Sequence, residues 1–96
     1  MRNYEVLYVL NPNLEEEAID ASIARFEEAI VKAGGTVVKT DKWGKRRLAY
    51  EIKDLLEGFY VLTTFQAPNE TSQELDRLMR IADEVIRHLI VNLDED

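Results

Sequence analysis

The chain contains no cysteine. Disulfides and thiolate metal sites are therefore excluded, and the absence fits a reducing compartment. It has a single histidine, His88, in a strand-like stretch, where an imidazole is usually a packed or edge side chain rather than a catalyst. No Ser sits in a nucleophile motif. Glu15, Glu16 and Glu17 are consecutive, so they are not a convergent acid–base pair. A metal site would need carboxylates alone, and Asp94-Glu95-Asp96 reads as a solvated tail. Gly34-Gly35 lacks the further glycines and the lysine of a phosphate-cradling loop. No catalytic residue, metal or cofactor is expected. No run approaches the roughly 20 apolar residues that cross a bilayer. Met1-Arg2-Asn3-Tyr4 leads straight into a strand-like run without a signal-peptide core, so a soluble intracellular protein is the expectation.

What is present fits one domain over residues 1–96. A chain of this size buries about two-thirds of its unfolded surface and has no room for a deep enclosed site. Its 46% apolar content argues against disorder. The net charge is -7, and acids gather at Glu15 to Glu17 with Asp20, Glu27 and Glu28, and again at the C-terminus. Against that background stands Trp43-Gly44-Lys45-Arg46-Arg47-Leu48-Ala49-Tyr50, flanked by Lys39, Lys42 and Lys53. Asp41 and Glu51 are the only acids between Lys39 and Lys53. Local clusters of Lys and Arg neutralise phosphates, and neighbouring Tyr and Trp can stack on unpaired bases. The same string also suits a charged strand edge that discourages aggregation.

Hydrophobic periodicity gives the element order. Asn3 to Leu10 alternates as a strand and ends at Asn11-Pro12-Asn13. Asn13 with Glu16 reads as a capping box, and Ile19, Ile23, Phe26 and Ile30 form one helical face closed by Gly34-Gly35. Thr36 to about Ile52 is extended, with a bend or bulge at Gly44. A turn is expected over Asp54 to Gly58, then a strand from Phe59 to Ala67 that Pro68 stops. Thr71 with Glu74 reads as a second capping box, before a helical stripe of Leu75, Leu78, Met79 and Ala82. Val85 to Val91 is a last short strand.

The order β-α-β-β-α-β with right-handed crossovers predicts an α+β, ferredoxin-like sandwich: a four-stranded mixed antiparallel sheet with both helices on one face. The other face is then open. If Val6, Phe59 and Val61 face the helices, then Leu7, Val9, Tyr60, Leu62, Leu89 and Val91 face outward. Open faces normally carry polar residues, so an apolar patch there marks a partner site. RNA-recognition motifs share this element order. Here, however, Glu57-Gly58-Phe59-Tyr60 puts a carboxylate where their central-strand signature has a cation, and the aliphatic face suits protein contact better.

Four stretches carry a resemblance that spans nearly the whole chain: Arg2-Asn3-Tyr4-Glu5 with Asn11-Pro12, Gly44 to Tyr50, Gly58-Phe59-Tyr60, and Arg80 to Arg87. They resemble the bacterial small-subunit ribosomal protein S6 family. The resemblance implies a ferredoxin-like fold and a cytoplasmic, ribosomal, non-enzymatic role. It also implies heterodimerisation with ribosomal protein S18, and binding of the pair to the central domain of small-subunit ribosomal RNA. In that setting Arg2, Lys45, Arg46, Arg47, Arg80 and Arg87 are the expected RNA-facing cations, with Tyr50 beside them. Arg80 has a structural alternative, pairing with Glu84 one helical turn on. A different class also fits the sequence: a homo-oligomeric metabolite-binding or small enzyme domain joined through the same open face.

Overall fold

A computed structural model describes residues 1–94, so the expected solvated tail lies outside the described residues except for Asp94. The elements are β1 (Arg2–Leu10), α1 (Glu16–Lys32), β2 (Thr36–Ile52), β3 (Leu55–Ala67), α2 (Asn69–Ile81) and β4 (Val85–Asn92). Hydrogen bonding orders the sheet β2-β3-β1-β4, with β1 and β3 in the middle as expected. Each of the three pairings is antiparallel, so the sheet is antiparallel throughout rather than mixed.

The core lies on one face only. Tyr4, Val6, Tyr8 and Leu10 of β1 and Val61 and Phe65 of β3 pack against Ile19, Ile23, Phe26 and Ile30 of α1 and Leu75 and Met79 of α2. The helical spacing in each helix and the period-2 alternation in each strand deliver these side chains to a shared layer. The Tyr4 and Phe65 rings stack at 5.4 Å, and Tyr8 meets Phe26 edge-on at the same centroid distance. The Tyr8 hydroxyl is buried without a geometric hydrogen-bond partner among the described residues, and burial holds its pKa well above the usual tyrosine value.

The helix ends differ from the expected capping boxes. Asn11, not Asn13, organises the approach to α1: its Oδ1 accepts from the Asn13 N–H at 2.9 Å, forming an Asx turn. Glu15 occupies the N-cap position, and its side chain makes no cap hydrogen bond. Thr71 lies inside α2, whose N-cap is Pro68. Its buried hydroxyl instead donates to the Ala33 carbonyl at 2.6 Å, tying the start of α2 to the end of α1. The Gly34-Gly35 stop is as expected. Gly34 has φ +98°, the Gly35 N–H donates to Ile30 O, and the Gly34 N–H donates to Val31 O, the paired bonds of a Schellman end.

The β2–β3 hairpin is longer than expected. No turn spans Asp54 to Gly58. Lys53 and Asp54, both at positive φ, reverse the chain, and Ile52 pairs directly with Leu55. The expected irregularity at Gly44 is a bulge: Lys42 faces Val61 and Gly44 faces Tyr60, leaving Trp43 as the extra residue. At the far end of β1, Asn3 donates to Asp94 from its backbone N–H at 2.7 Å and from its side-chain amide at 3.0 Å. The Asn3 amide, aided by the backbone N–H, holds the Asp94 carboxyl below the usual aspartate range. Asp94 is thus a held residue rather than part of a free tail.

Gly58 marks a close approach. A Cβ there would collide with Val9 Cγ1 and would lie 3.4 Å from Ile86 Cδ1 and from Leu48 Cδ2. Gly58→Ala is expected to lower the free energy of unfolding by about 1–3 kcal/mol through overpacking. Val9→Ala should be less costly in the Gly58→Ala background than in the wild type. Urea unfolding of the four proteins of this cycle checks the coupling, and strictly additive losses would refute it.

Candidate protein and nucleic-acid interface

Cross-strand pairs point to the same side of a sheet. Register therefore assigns the paired residues of the uncovered face. One row runs Asp41, Leu62, Leu7, Leu89 across the four strands; the next runs Gly44, Tyr60, Val9, Arg87. Val91 lies opposite Glu5 on the same side. Leu7, Tyr60, Leu62, Leu89 and Val91 thus share the face that their parity indicated, and Leu89 is the most open of them at 58% exposure. The sixth, Val9, has the expected parity but is not available for contact. It is only 3% exposed, because the Leu48–Gly58–Ile86 region of the hairpin and β4 closes over it. Leu48 is correspondingly buried, and Tyr50 on the same strand is exposed.

Trp43 has a residue type able to stack on bases, as the sequence indicates, but is not among the residues assigned to RNA there. The bulge puts it beside Gly44 on the uncovered face, where its ring lies parallel to that of Tyr60 at 6.3 Å. Arg46 Cζ sits 5.0 Å from the Trp43 centroid, a cation–π distance. The only prior signal for this placement was Gly44 itself. A bulge changes which side its neighbour faces, and plain alternation cannot supply that step.

The cations divide cleanly into two sets. Arg25, Lys32, Lys39, Lys42, Arg77 and Arg80 each have a carboxylate within ion-pair distance. Arg2, Lys45, Arg46, Arg47, Lys53 and Arg87 have none among the described residues. Of the residues expected to face RNA, Arg80 is the one already engaged. Its partner is Asp76 rather than Glu84, since the helix ends at Ile81 and Glu84 is taken by Arg25 at 2.7 Å and Ser22 at 3.0 Å. Asp76 also meets His88 at 2.7 Å, so the lone imidazole serves as a link between α2 and β4.

The remaining basic residues do not form one cluster. Strand alternation splits the Lys45-Arg46-Arg47 string. Arg46 pairs with Gly58 and takes the uncovered face. Lys45 pairs with Phe59 and lines a cleft with Leu14, Glu16 and Asp20 on the helix side. Arg47 pairs with Glu57 on the projecting hairpin. Arg87 lies on the uncovered face, 3.4 Å from the Tyr50 hydroxyl, to which it donates. Arg2 stands at the other end of the sheet, lining a shallow groove with Asn69, Asp76 and His88. Arg46, Tyr50 and Arg87 are therefore the expected RNA-facing residues that share the open side with Trp43 and the aliphatic band.

Comparisons with known proteins agree with this architecture. A family profile described as ribosomal protein S6 matches residues 3–92. The small ribosomal subunit protein bS6 of Carboxydothermus hydrogenoformans is 53% identical over 95 residues, covering 99% of each chain. That of Desulforamulus reducens is 50% identical, covering 99% of this chain and all of its own. The crystal structure of 30S ribosomal protein S6 from Thermotoga maritima superposes with a TM-score of 0.87 at 33% identity, covering 95% of this chain and 86% of that one.

The burial difference within one face is testable on the isolated protein. Leu89→Asp, at an open position, is expected to change unfolding free energy by no more than about 0.5 kcal/mol. Val9→Asp, of the same parity but buried, is expected to cost several-fold more, because it buries a charge with no partner. Chemical denaturation of both variants checks this; equal losses would mean that the hairpin does not close over Val9.

Proposed function

This chain belongs to the ribosomal protein S6 family of the small ribosomal subunit, and from that premise we propose that it binds small-subunit ribosomal RNA as a heterodimer with ribosomal protein S18. It is a structural component and not an enzyme, and its place of action is the ribosome in the cytoplasm. The aliphatic band of Leu7, Leu62, Leu89 and Val91, with Tyr60, receives S18. Arg46, Arg87 and Tyr50 meet RNA beside that contact, with Lys45, Arg47 and Arg2 as further phosphate contacts from other sides of the molecule. Arg80 takes part only by giving up Asp76.

One observation carries this reading: among the described residues, an antiparallel sheet face that lacks a covering layer is apolar at its centre and bordered by arginines without carboxylate partners. Solvated faces alternate to polar side chains. Exposed apolar surface of this kind supports a protein partner. The overall charge of -7 repels RNA at long range. A basic partner on the open face offsets that repulsion and leaves the free arginines to neutralise phosphates.

Gel-shift titrations with and without S18 test the proposal. Affinity for small-subunit ribosomal RNA is expected to be weak for this protein alone and to rise sharply with the partner. In the paired state, Arg46→Ala with Arg87→Ala should lower affinity and flatten log affinity against log salt. The slope should fall by about 0.9 unit for each phosphate no longer neutralised on a duplex, and by somewhat less on single strands. Arg80→Ala should leave the slope nearly unchanged. Equal affinity with and without S18, or an unaltered slope in the double variant, would contradict the reading.

A further inference from the structure

Trp43 is the chain's only tryptophan, and 40% of it is exposed on the uncovered face. The part left open is a flat, amphipathic aromatic surface of the kind that contacts use. Its placement is enforced by the backbone. Gly44 has φ +86° and nothing lies within 4 Å of where its Cβ would be. Glycine is thus required there for conformation, not for space. The bulge it permits lays the indole parallel to Tyr60, with 8° between the ring planes, and brings the Arg46 guanidinium to 5.0 Å from the indole centroid.

The charges around this corner select its occupant. Arg46 has no carboxylate partner among the described residues. Arg87 stands at the other end of the same cross-strand row, beyond Tyr60 and Val9. Asp41, in the neighbouring row, is engaged by Lys39 at 3.5 Å. A basic peptide segment is repelled from such a corner, and an aliphatic one fits the adjoining Leu62–Leu7–Leu89 row better. An unpaired nucleotide matches both properties: its base stacks on the aromatic surface and its phosphate takes a guanidinium.

The geometry points to a nucleobase-stacking subsite formed by Trp43, Tyr60 and Arg46, taking one unpaired base of the RNA bound by the S6–S18 pair. This rests on the RNA-binding reading above and adds where the sheet face changes from protein contact to RNA contact. Stacking tolerates any base, so the subsite reads the unpaired state of the nucleotide rather than its identity.

The single tryptophan makes the test direct. The full chain, labelled with 5-fluorotryptophan, gives one fluorine resonance. It is recorded alone, with S18, and with S18 plus the central-domain fragment of small-subunit ribosomal RNA. The expected result is a marked shift on addition of RNA. Trp43→Leu should weaken RNA binding by the pair roughly 5- to 150-fold, the range for removal of one base stack. Trp43→Tyr should restore most of it, and the salt slope should stay unchanged because every phosphate-neutralising cation is still present. S18 binding and the thermal midpoint of Trp43→Leu are measured alongside, so that misfolding is not mistaken for loss of the subsite. A resonance that shifts fully with S18 and not further with RNA would assign Trp43 to the protein interface and overturn the inference. Unchanged RNA affinity in Trp43→Leu would overturn the subsite alone. Failure of the wild-type pair to bind RNA would remove the reading beneath it as well.

Discussion

Both helices pack on the same side of the sheet, and the rest of the molecule follows from that constraint. A four-stranded sheet has two faces, and here one layer of helices serves only one of them. Period-2 alternation then sends every second side chain of each strand to the uncovered side. In β1 the residues so placed include Glu5, Leu7 and Val9; in β4, Arg87, Leu89 and Val91. Apolar residues there gain nothing from the core they face away from. Two different solutions appear within one face. At the hairpin end the chain supplies its own cover, as Leu48, Gly58 and Ile86 close over Val9. In the middle no described segment reaches, and Leu89 stays open.

Charge is distributed by the same geometry. The helix layer is acidic, and cations near it are largely neutralised: Lys42 by Asp20 at 2.5 Å, Lys32 by Glu28 at 2.8 Å, Arg25 by Glu84. The Asp20 carboxylate raises the Lys42 pKa, and Lys32 lowers that of Glu28. These pairs are exposed, so each contributes little to stability. Their consequence is electrostatic: they leave the unpaired guanidiniums Arg46 and Arg87 on the opposite face. A strongly acidic chain thereby keeps a locally cationic side, which its net charge of -7 conceals.

The element order, the central strands and most of the core were legible because they depend on periodicity, which the sequence carries directly. Ile19, Ile23, Phe26 and Ile30 are all buried, and so are Val61 and Phe65. The readings that failed depended on contacts between distant segments. Asn13 and Thr71 have capping residue types, but Asn11 sits two residues before Asn13 and Ala33 lies against Thr71. The hairpin reverses at Lys53-Asp54, two non-glycine residues at positive φ, so no glycine announced the turn. Val9 and Trp43 show the limit on site residues. Parity gives the face of a strand residue, yet burial depends on what folds over it, and a bulge redirects its neighbour. The basic string shows the converse, since neighbours in sequence alternate between faces and Lys45, Arg46 and Arg47 part company.

The central claim is that the uncovered sheet face, not the helix layer, receives the protein partner. Methyl-resolved NMR of this protein, titrated with S18, tests it most directly. The account predicts shifts at the methyls of Leu7, Leu62, Leu89 and Val91, with those of Val6, Val61 and Ile23 nearly unmoved. Perturbation centred instead on Leu78 and Ile81, which line an apolar groove of the helix layer, would contradict it.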